Sequence, residues 1–252
     1  PNIDRGGLEF RRRIRELLNR PATEVDGYLD VMGDAEVPQT TGQRVMGSSV
    51  LPMIYERLWR PVLFFGFTAR NSAQEDRRKL QLLELRPGDT VLDVACGPGN
   101  TTRTLLAAVG SDGLAIGVDS SATMLAKAVR DTAPGSPIGY VRADAVDLPF
   151  DDGTVDAVSC YGALYLMDDP FGALREMIRV LTPGGRIAVL TTCARGPAPV
   201  RRASVAASRF APVRLFDVDE VVDVMRAAGL VDVTRDVSAA SQTVSGRRPQ
   251  TP

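Results

Sequence analysis

Residues 90–100 read TVLDVACGPGN: Val91, Leu92 and Val94 form a short apolar run with one carboxylate, Asp93, set inside it, and the run breaks at Gly97, Pro98 and Gly99. This pattern predicts a buried strand, a tight loop and a helix opening near residues 100–102. Glycines at such a junction let the backbone approach a ligand closely, and the helix N-terminus offers amide donors that have no partner within the helix. The stretch reads as a cofactor site. A glycine-rich strand-to-helix turn also serves dinucleotide folds, and in some proteins only tight packing.

The carboxylate ahead of the glycines sharpens the choice. In a dinucleotide fold the loop faces a pyrophosphate, which an acid buried among the amide donors would repel. A ligand with a cationic amino-acid end is instead matched by Asp93. S-adenosylmethionine carries an ammonium and a sulfonium and no phosphate, so it fits the residue pattern.

Downstream of Gly88 the pattern is regular. Strands are expected at 90–95, 114–118, 138–142, 155–159 and 186–192, with helices at 101–109, 121–130 and 171–181 between them. Such alternation predicts an α/β, doubly wound, mostly parallel sheet with helices on both faces, whose ligands bind at the carboxyl ends of the strands. Two further acids stand at such ends. Asp119 closes the second strand in AIGVDSSATML, where a carboxylate can accept from two ribose hydroxyls, or else cap the following helix. Asp144, in YVRADAVDLPF, follows the third strand, where a carboxylate beside the Ala145 backbone can bind an exocyclic amine, or else form a turn.

Composition narrows the chemistry. The 252 residues accommodate one sizeable domain with appendages, and a net charge of -1 gives no global attraction to nucleic acid. There is no histidine, which removes imidazole bases, serine and cysteine triads, and the usual zinc and iron sites. Cys96, Cys160 and Cys193 are far apart without a CxxC, so no metal site or disulfide framework is expected. With no signal-peptide pattern and no charge-free apolar run near the roughly 20 residues of a membrane span, a cytoplasmic protein is expected.

The flanks are less specific. Leu8 to Leu18 predicts an amphipathic, arginine-rich helix, either a solvated face or a contact for anionic lipid or RNA. Residues 21–43 read as a polar linker or small cap, in which only YLDV resembles an ordered piece. Residues 46–67 are rich in aromatics, among them Tyr55, Trp59 and Phe64, and read either as core packing or as a lid giving an apolar wall to a substrate pocket. A helix is expected at 73–85. Residues 193–216 hold Arg195, Arg201, Arg202, Arg209 and Arg214 and no acid, which suggests a solvated loop and helix or a site for an anionic substrate or partner. A helix at 217–228 and a strand at 230–236 follow, and 242–245 can pair beside that strand as a hairpin.

With these segments together, LRPGDTVLDVACGPGN, GVDSSATMLAKA, RADAVDLPFDDGTVDAVSC, ALREMIRVLTPGGRIAVLT and FDVDEVVDVMRAAGL, the chain from Leu82 to Pro249 resembles the class I S-adenosylmethionine-dependent methyltransferases. Within them it is most similar to the ubiquinone and menaquinone C-methyltransferase group, the type 11 methyltransferases. The resemblance implies a seven-stranded, Rossmann-like sheet with its last strand antiparallel. Residues 73–252 would form the S-adenosylmethionine-binding domain, and residues 1–72 an N-terminal helical cap and lid. It implies that Asp93, Ala95, Cys96, Gly97 and Gly99 hold the methionine end of the cofactor. Asp119, Ser120 and Met124 would lie at the ribose, Asp144 and Ala145 at the adenine, and Cys160 or Tyr161 would touch the cofactor through its backbone. Pro183, Gly184 and Gly185 would form the turn before the fifth strand. Two positions depart from the family: Ala95 stands where many members have the loop's first glycine, and in GALYLMDDP Tyr165 and Leu166 replace a common histidine pair.

The expected activity is methyl transfer from S-adenosylmethionine to a small, apolar or amphipathic acceptor, with S-adenosylhomocysteine as product. The atom methylated is left open. Transfer from a sulfonium is an in-line displacement in which positioning and exclusion of water suffice for a nucleophilic acceptor. A general base is needed only for a poorly ionised hydroxyl or a protonated amine, and without histidine its candidates are Tyr161, Tyr165, Asp168 and Asp169; Tyr161 and Tyr165 are also the candidates for the acceptor pocket. The alternatives are an rRNA or other nucleic-acid base methyltransferase, disfavoured because no NPPY-like motif or PC nucleophile is present, an NAD-dependent oxidoreductase, disfavoured by Asp93, and a non-catalytic S-adenosylmethionine-binding protein.

Overall fold

A computed structural model describes residues 5–35, 71–209, 211 and 213–250. The aromatic stretch at 46–67 lies outside the described residues. Among the described residues nine strands form one sheet: β1 (Thr23–Val25), β2 (Tyr28–Asp30), β3 (Thr90–Val94), β4 (Leu114–Asp119), β5 (Ile138–Arg142), β6 (Val155–Tyr161), β7 (Leu181–Thr192), β8 (Val231–Ser238) and β9 (Ser241–Arg247), in spatial order β1-β2-β5-β4-β3-β6-β7-β9-β8. The pairs from β2 through β7 are parallel, while β9 runs antiparallel to both β7 and β8. Chain order reverses at β3, which has β4 on one side and β6 on the other, so the crevice at their carboxyl ends is the place where ligands bind in such sheets.

Helices α1 (Arg5–Leu17), α2 (Ser72–Leu83), α3 (Asn100–Val109), α4 (Ala122–Arg130), α5 (Pro170–Arg179), α6 (Ala198–Ser208) and α7 (Glu220–Ala227) accompany the sheet. The two-residue period of the strands divides the core into two layers. Val91, Ala115 and Ala157 face one side with Leu83 of α2, Leu105 and Val109 of α3 and Leu125 of α4. Leu92, Val94, Ile116 and Val158 face the other with Ile14 of α1, Leu174 and Met177 of α5 and Met225 of α7. Asp93, two residues from Val91, therefore projects into the layer of α2 and α3.

Seven of the nine strands are those the sequence resemblance implies. The additional pair comes from the segment read as a polar linker or small cap, where YLDV, the one piece expected to be ordered, supplies β2. β2 adds to the open edge of β5 through Leu29 opposite Val141 and Asp30 opposite Arg142, and β1 folds back on β2. Polar composition concealed β1, because an outermost strand buries only one flank; Tyr28, Leu29 and Asp30 are buried while the two leading residues of β1 are exposed. Helix α1 packs on the same sheet: Ile14 is fully buried, and its side chain leaves no room for a β-carbon at Gly139. Strand β7 begins at Leu181, earlier than the expected 186, and takes in Pro183, Gly184 and Gly185 as an irregularity where Val155 pairs with Leu181 but Ala157 with Arg186. Gly184 sits at φ +83°, and a β-carbon on Gly185 would meet the Asp156 carbonyl at 3.0 Å, so both glycines serve the backbone.

Candidate cofactor and acceptor site

The loop after β3 turns on three residues with left-handed φ: Ala95 at 57°, Gly97 at 53° and Gly99 at 75°. The amide of Cys96 donates to the Val118 carbonyl at 3.0 Å, tying the loop to the end of β4. Nothing lies within 4 Å of where a β-carbon on Gly97 would stand, so Gly97 leaves open space above the loop. Gly99 has no such space, since a β-carbon there would collide with the Tyr140 hydroxyl. The Cys96 thiol is buried and packed toward Gly117, and burial raises its pKa well above the usual thiol value.

Asp93 is 2% exposed and accepts from the Thr102 hydroxyl at 2.7 Å. Burial pushes its carboxyl up to about 6, with the Lys79 ammonium and the Thr102 hydroxyl acting in the opposite direction. A cation arriving beside Asp93 would complete a pair that the protein supplies only in part.

Asp119 ends β4, half-buried, and its two oxygens accept from the amides of Gly97 and Ser121, each at 2.8 Å. Burial raises its pKa while the two amides lower it. Two amides leave two of a carboxylate's roughly four lone-pair positions open, which matches a vicinal diol. Ser121 rather than Asp119 caps α4, accepting from the Met124 amide at 3.3 Å. The Ser120 carbonyl accepts from the Arg142 guanidinium at 3.2 Å.

Asp144 is half-buried and accepts from the Val146 amide at 3.1 Å, the turn geometry that its position after β5 allowed, and Ala145 packs at the edge of the apolar layer. At the end of β6, Cys160 and Tyr161 point to opposite layers. Cys160 is fully buried, its pKa pushed up to about 12 by that burial. Tyr161 lies on the Asp93 side, with the Lys79 ammonium 4.5 Å from its ring centre. Tyr165 sits in a short 3-10 turn, Leu164–Leu166, with its hydroxyl 3.8 Å from where a β-carbon on Gly162 would stand. β3, β4 and β6 thus bring Asp93, Asp119 and Tyr161 to one end of the sheet.

Sequence reading missed Thr102, Lys79 and Arg142. Thr102 lay in the helix following the glycines, and its hydroxyl is what fixes Asp93. Lys79 was available as a charged residue in register with Leu83, one turn away on the buried side of α2. Arg142, besides Ser120, binds Asp30 at 3.0 Å and the carbonyls of Gly33 and Ala35, fastening the N-terminal segment beside the carboxyl end of β4. Of the five arginines of the arginine-rich stretch two are paired with acids: Arg201 meets Asp217 at 2.5 Å, and Arg214 has Glu220 at 3.3 Å and lies over the edge-to-face pair of Phe171 and Phe216. Its acids lie just beyond the stretch, which is why residues 193–216 alone read as unpaired. Arg195, Arg202 and Arg209 are exposed.

Residues 91–185 match the family described as a methyltransferase domain. Demethylmenaquinone methyltransferase from Staphylococcus aureus is 40% identical over 116 residues, which cover 46% of this chain and 48% of that protein, so the chain spans about half the length of this relative. Among solved structures, the SAM-dependent methyltransferase from Aquifex aeolicus superposes with a TM-score of 0.55 at 21% identity, covering 73% of this chain and 91% of that one. The [4+2]-cyclase SpnF superposes with a TM-score of 0.64 at 19% identity, covering 86% and 100%. At such identities the two structures speak for the fold alone. Asp93, Asp119 and the open loop at Gly97 fit the amino-acid and ribose parts of S-adenosylmethionine, the cofactor of the matched class. Among the described residues no cluster suited to a metal ion is present, and no helix is long and apolar enough to cross a membrane.

Proposed function

We propose that this chain, a class I S-adenosylmethionine-dependent methyltransferase of the ubiquinone and menaquinone group, methylates a small apolar acceptor of the demethylated quinol type. The cofactor part of this reading is carried by the pair of carboxylates, buried Asp93 and half-buried Asp119, at the ends of adjacent strands around a loop open above Gly97, and the acceptor part is supported by the similarity to demethylmenaquinone methyltransferase. S-adenosylmethionine when bound supplies an electrophilic methyl on sulfur, which a nucleophile takes by in-line displacement. Asp93, held by Thr102, binds the ammonium, and Asp119 accepts from the ribose hydroxyls while steadying the loop through the Gly97 amide. Asp144, Ala145, Ser120 and Met124 border the nucleoside. Cys160 contributes backbone only, since its side chain faces the opposite layer. Tyr161, on the Asp93 side, is the tyrosine assigned to the acceptor pocket, and its ring suits an apolar partner, whereas Tyr165 packs against the opposite apolar layer.

The chain holds no histidine to act as a base, and an acceptor that brings its own nucleophilicity needs none. An ionised quinol, whose ring carbon is electron-rich, is such an acceptor. We assign the protein to the cytoplasm, consistent with three cysteines that are all free and buried. Residues 73–252 are assigned as the cofactor-binding unit, with part of the N-terminal segment built onto its sheet. The exposed Arg195, Arg202 and Arg209 leave an anionic group on the acceptor or partner open to test.

Transfer of labelled methyl from S-adenosylmethionine to a short-chain demethylmenaquinol, followed by chromatography, tests the reading. Labelled methylated quinol is expected. Cofactor binding without transfer to any quinol, phenol or amine acceptor would contradict it and favour a non-catalytic binder or another chemistry on the same fold.

A further inference from the structure

Two helices of this chain are rich in arginine, and they handle the charge differently. At α1, Arg11 and Arg15 meet Glu24 at 2.8 and 3.4 Å, and Arg12 lies 3.7 Å from Glu16 one turn on. The excursion that carries α6 has no acid between residues 193 and 216, and among the described residues only its Arg201 and Arg214 reach one beyond it. Arg195, Arg202 and Arg209 stay exposed.

What surrounds them is apolar. Every exposed residue from 195 to 209 is arginine, glycine, proline, alanine or valine, so this surface presents cations and hydrocarbon and no side-chain acceptor of a hydrogen bond. Val200 and Val213, 56% and 42% exposed, are the two most exposed large apolar side chains among the described residues, and both belong to the excursion. Val205 and Ser208 anchor the buried side of the helix. Hydrocarbon left in water among guanidinium groups is matched by a surface that is anionic outside and apolar within. RNA would answer the charge alone, since reading or stacking bases calls for aromatic or amide side chains, and residues 195–209 expose none. The excursion also opens beside the crevice. The Ala194 amide donates to the Phe216 carbonyl at 2.9 Å, and the hydroxyl of Thr192, which ends β7, donates to the Arg214 carbonyl at 2.7 Å, so the chain leaves and returns at the carboxyl end of the sheet.

We propose that α6 and the arginines flanking it dock on a bilayer bearing anionic lipid, holding the crevice near that surface. The docking stands on α6 alone; its use, taking an apolar acceptor from the bilayer, rests on the function proposed above. Sedimentation with vesicles of phosphatidylcholine, and of phosphatidylcholine mixed equally with phosphatidylglycerol, tests it. The proteins compared are the wild type, Val200→Asp and a variant combining Arg195→Gln, Arg202→Gln and Arg209→Gln, with melting temperatures and unchanged S-adenosylmethionine affinity confirming that each is folded. The wild type should bind the anionic vesicles more tightly than the neutral ones by about tenfold or more, and less tightly as salt rises. Each arginine removed should weaken that binding about fivefold, hence about 100-fold for all three. Val200→Asp should weaken it about tenfold with every arginine in place. Wild-type binding no tighter to anionic than to neutral vesicles would overturn the proposal, as would anionic binding that the triple variant retains. Tighter binding of a homopolymeric RNA than of the anionic vesicles, lost in the triple variant, would overturn it in favour of a nucleic acid. Arginine-dependent vesicle binding by a wild type that methylates no quinol would support the docking while contradicting the proposed function.

Discussion

Asp93 is held above the ordinary carboxylate range by burial, to about 6. The folded chain therefore binds this proton more tightly than the unfolded chain does. That contribution to stability is fully present below about pH 4 and is lost as the pH rises through 6. Asp93→Asn keeps an acceptor for Thr102 and removes a buried charge, so its melting temperature at pH 7 should equal or exceed that of the wild type. Its affinity for S-adenosylmethionine should fall by about 10- to 100-fold. In the wild type, binding should weaken as the pH drops below about 6, by up to roughly tenfold per unit, and that dependence should flatten in Asp93→Asn; titrations at pH 5, 6 and 7 check both. Ala95 carries a different cost. Its φ of 57° is one that a β-carbon resists. Ala95→Gly should stabilise the protein by about 0.5–1 kcal/mol, the relief exceeding the added freedom of the unfolded chain, as read from chemical denaturation.

At the scale of elements, the central strands and crossover helices were legible because their periods are unambiguous. TVLDV and LAIGVD are short apolar runs bounded by turns, and the helices between them place apolar residues every three or four positions. Of the N-terminal hairpin only YLDV, which holds β2, was legible; β1 was not, because its two leading residues are exposed at the outer edge and leave no hydrophobic pattern. Lys79 was hidden for the opposite reason. Glu75, Lys79 and Leu83 form one buried stripe of α2, and charges on a buried stripe read as a solvated face when only hydropathy is counted. The acids at strand ends could be found by position, but not the hydroxyl and amides that fix them. Two predictions belong to this scale. Ile14→Ala should destabilise the whole domain by about 2–5 kcal/mol in a single cooperative transition, because α1 fills the sheet face at Gly139. A separate early transition affecting only the N-terminal segment would show that α1 is an appendage. Arg214→Ala should destabilise the region around Phe171 and Phe216 by about 1–3 kcal/mol, the cost of losing a guanidinium packed over two rings. Unaltered denaturation with weakened binding of an anionic acceptor would make Arg214 a ligand contact instead.

At the scale of the whole molecule, one twisted sheet sets every distance that matters. Reversal of strand order at β3 opens a crevice, the crevice gathers carboxylates from β3 and β4 with a tyrosine from β6, and α2 and α3 close its side. The cofactor is the hinge of the whole account. Its most direct test is calorimetric titration of the purified protein with S-adenosylmethionine, S-adenosylhomocysteine and NAD, beside Asp119→Ala. The two sulfur nucleosides should bind, more weakly by about tenfold or more when the ribose carboxylate is removed, and NAD should give no heat. Binding of NAD alone, or nucleoside binding that is indifferent to Asp119→Ala, would contradict the assignment of this crevice.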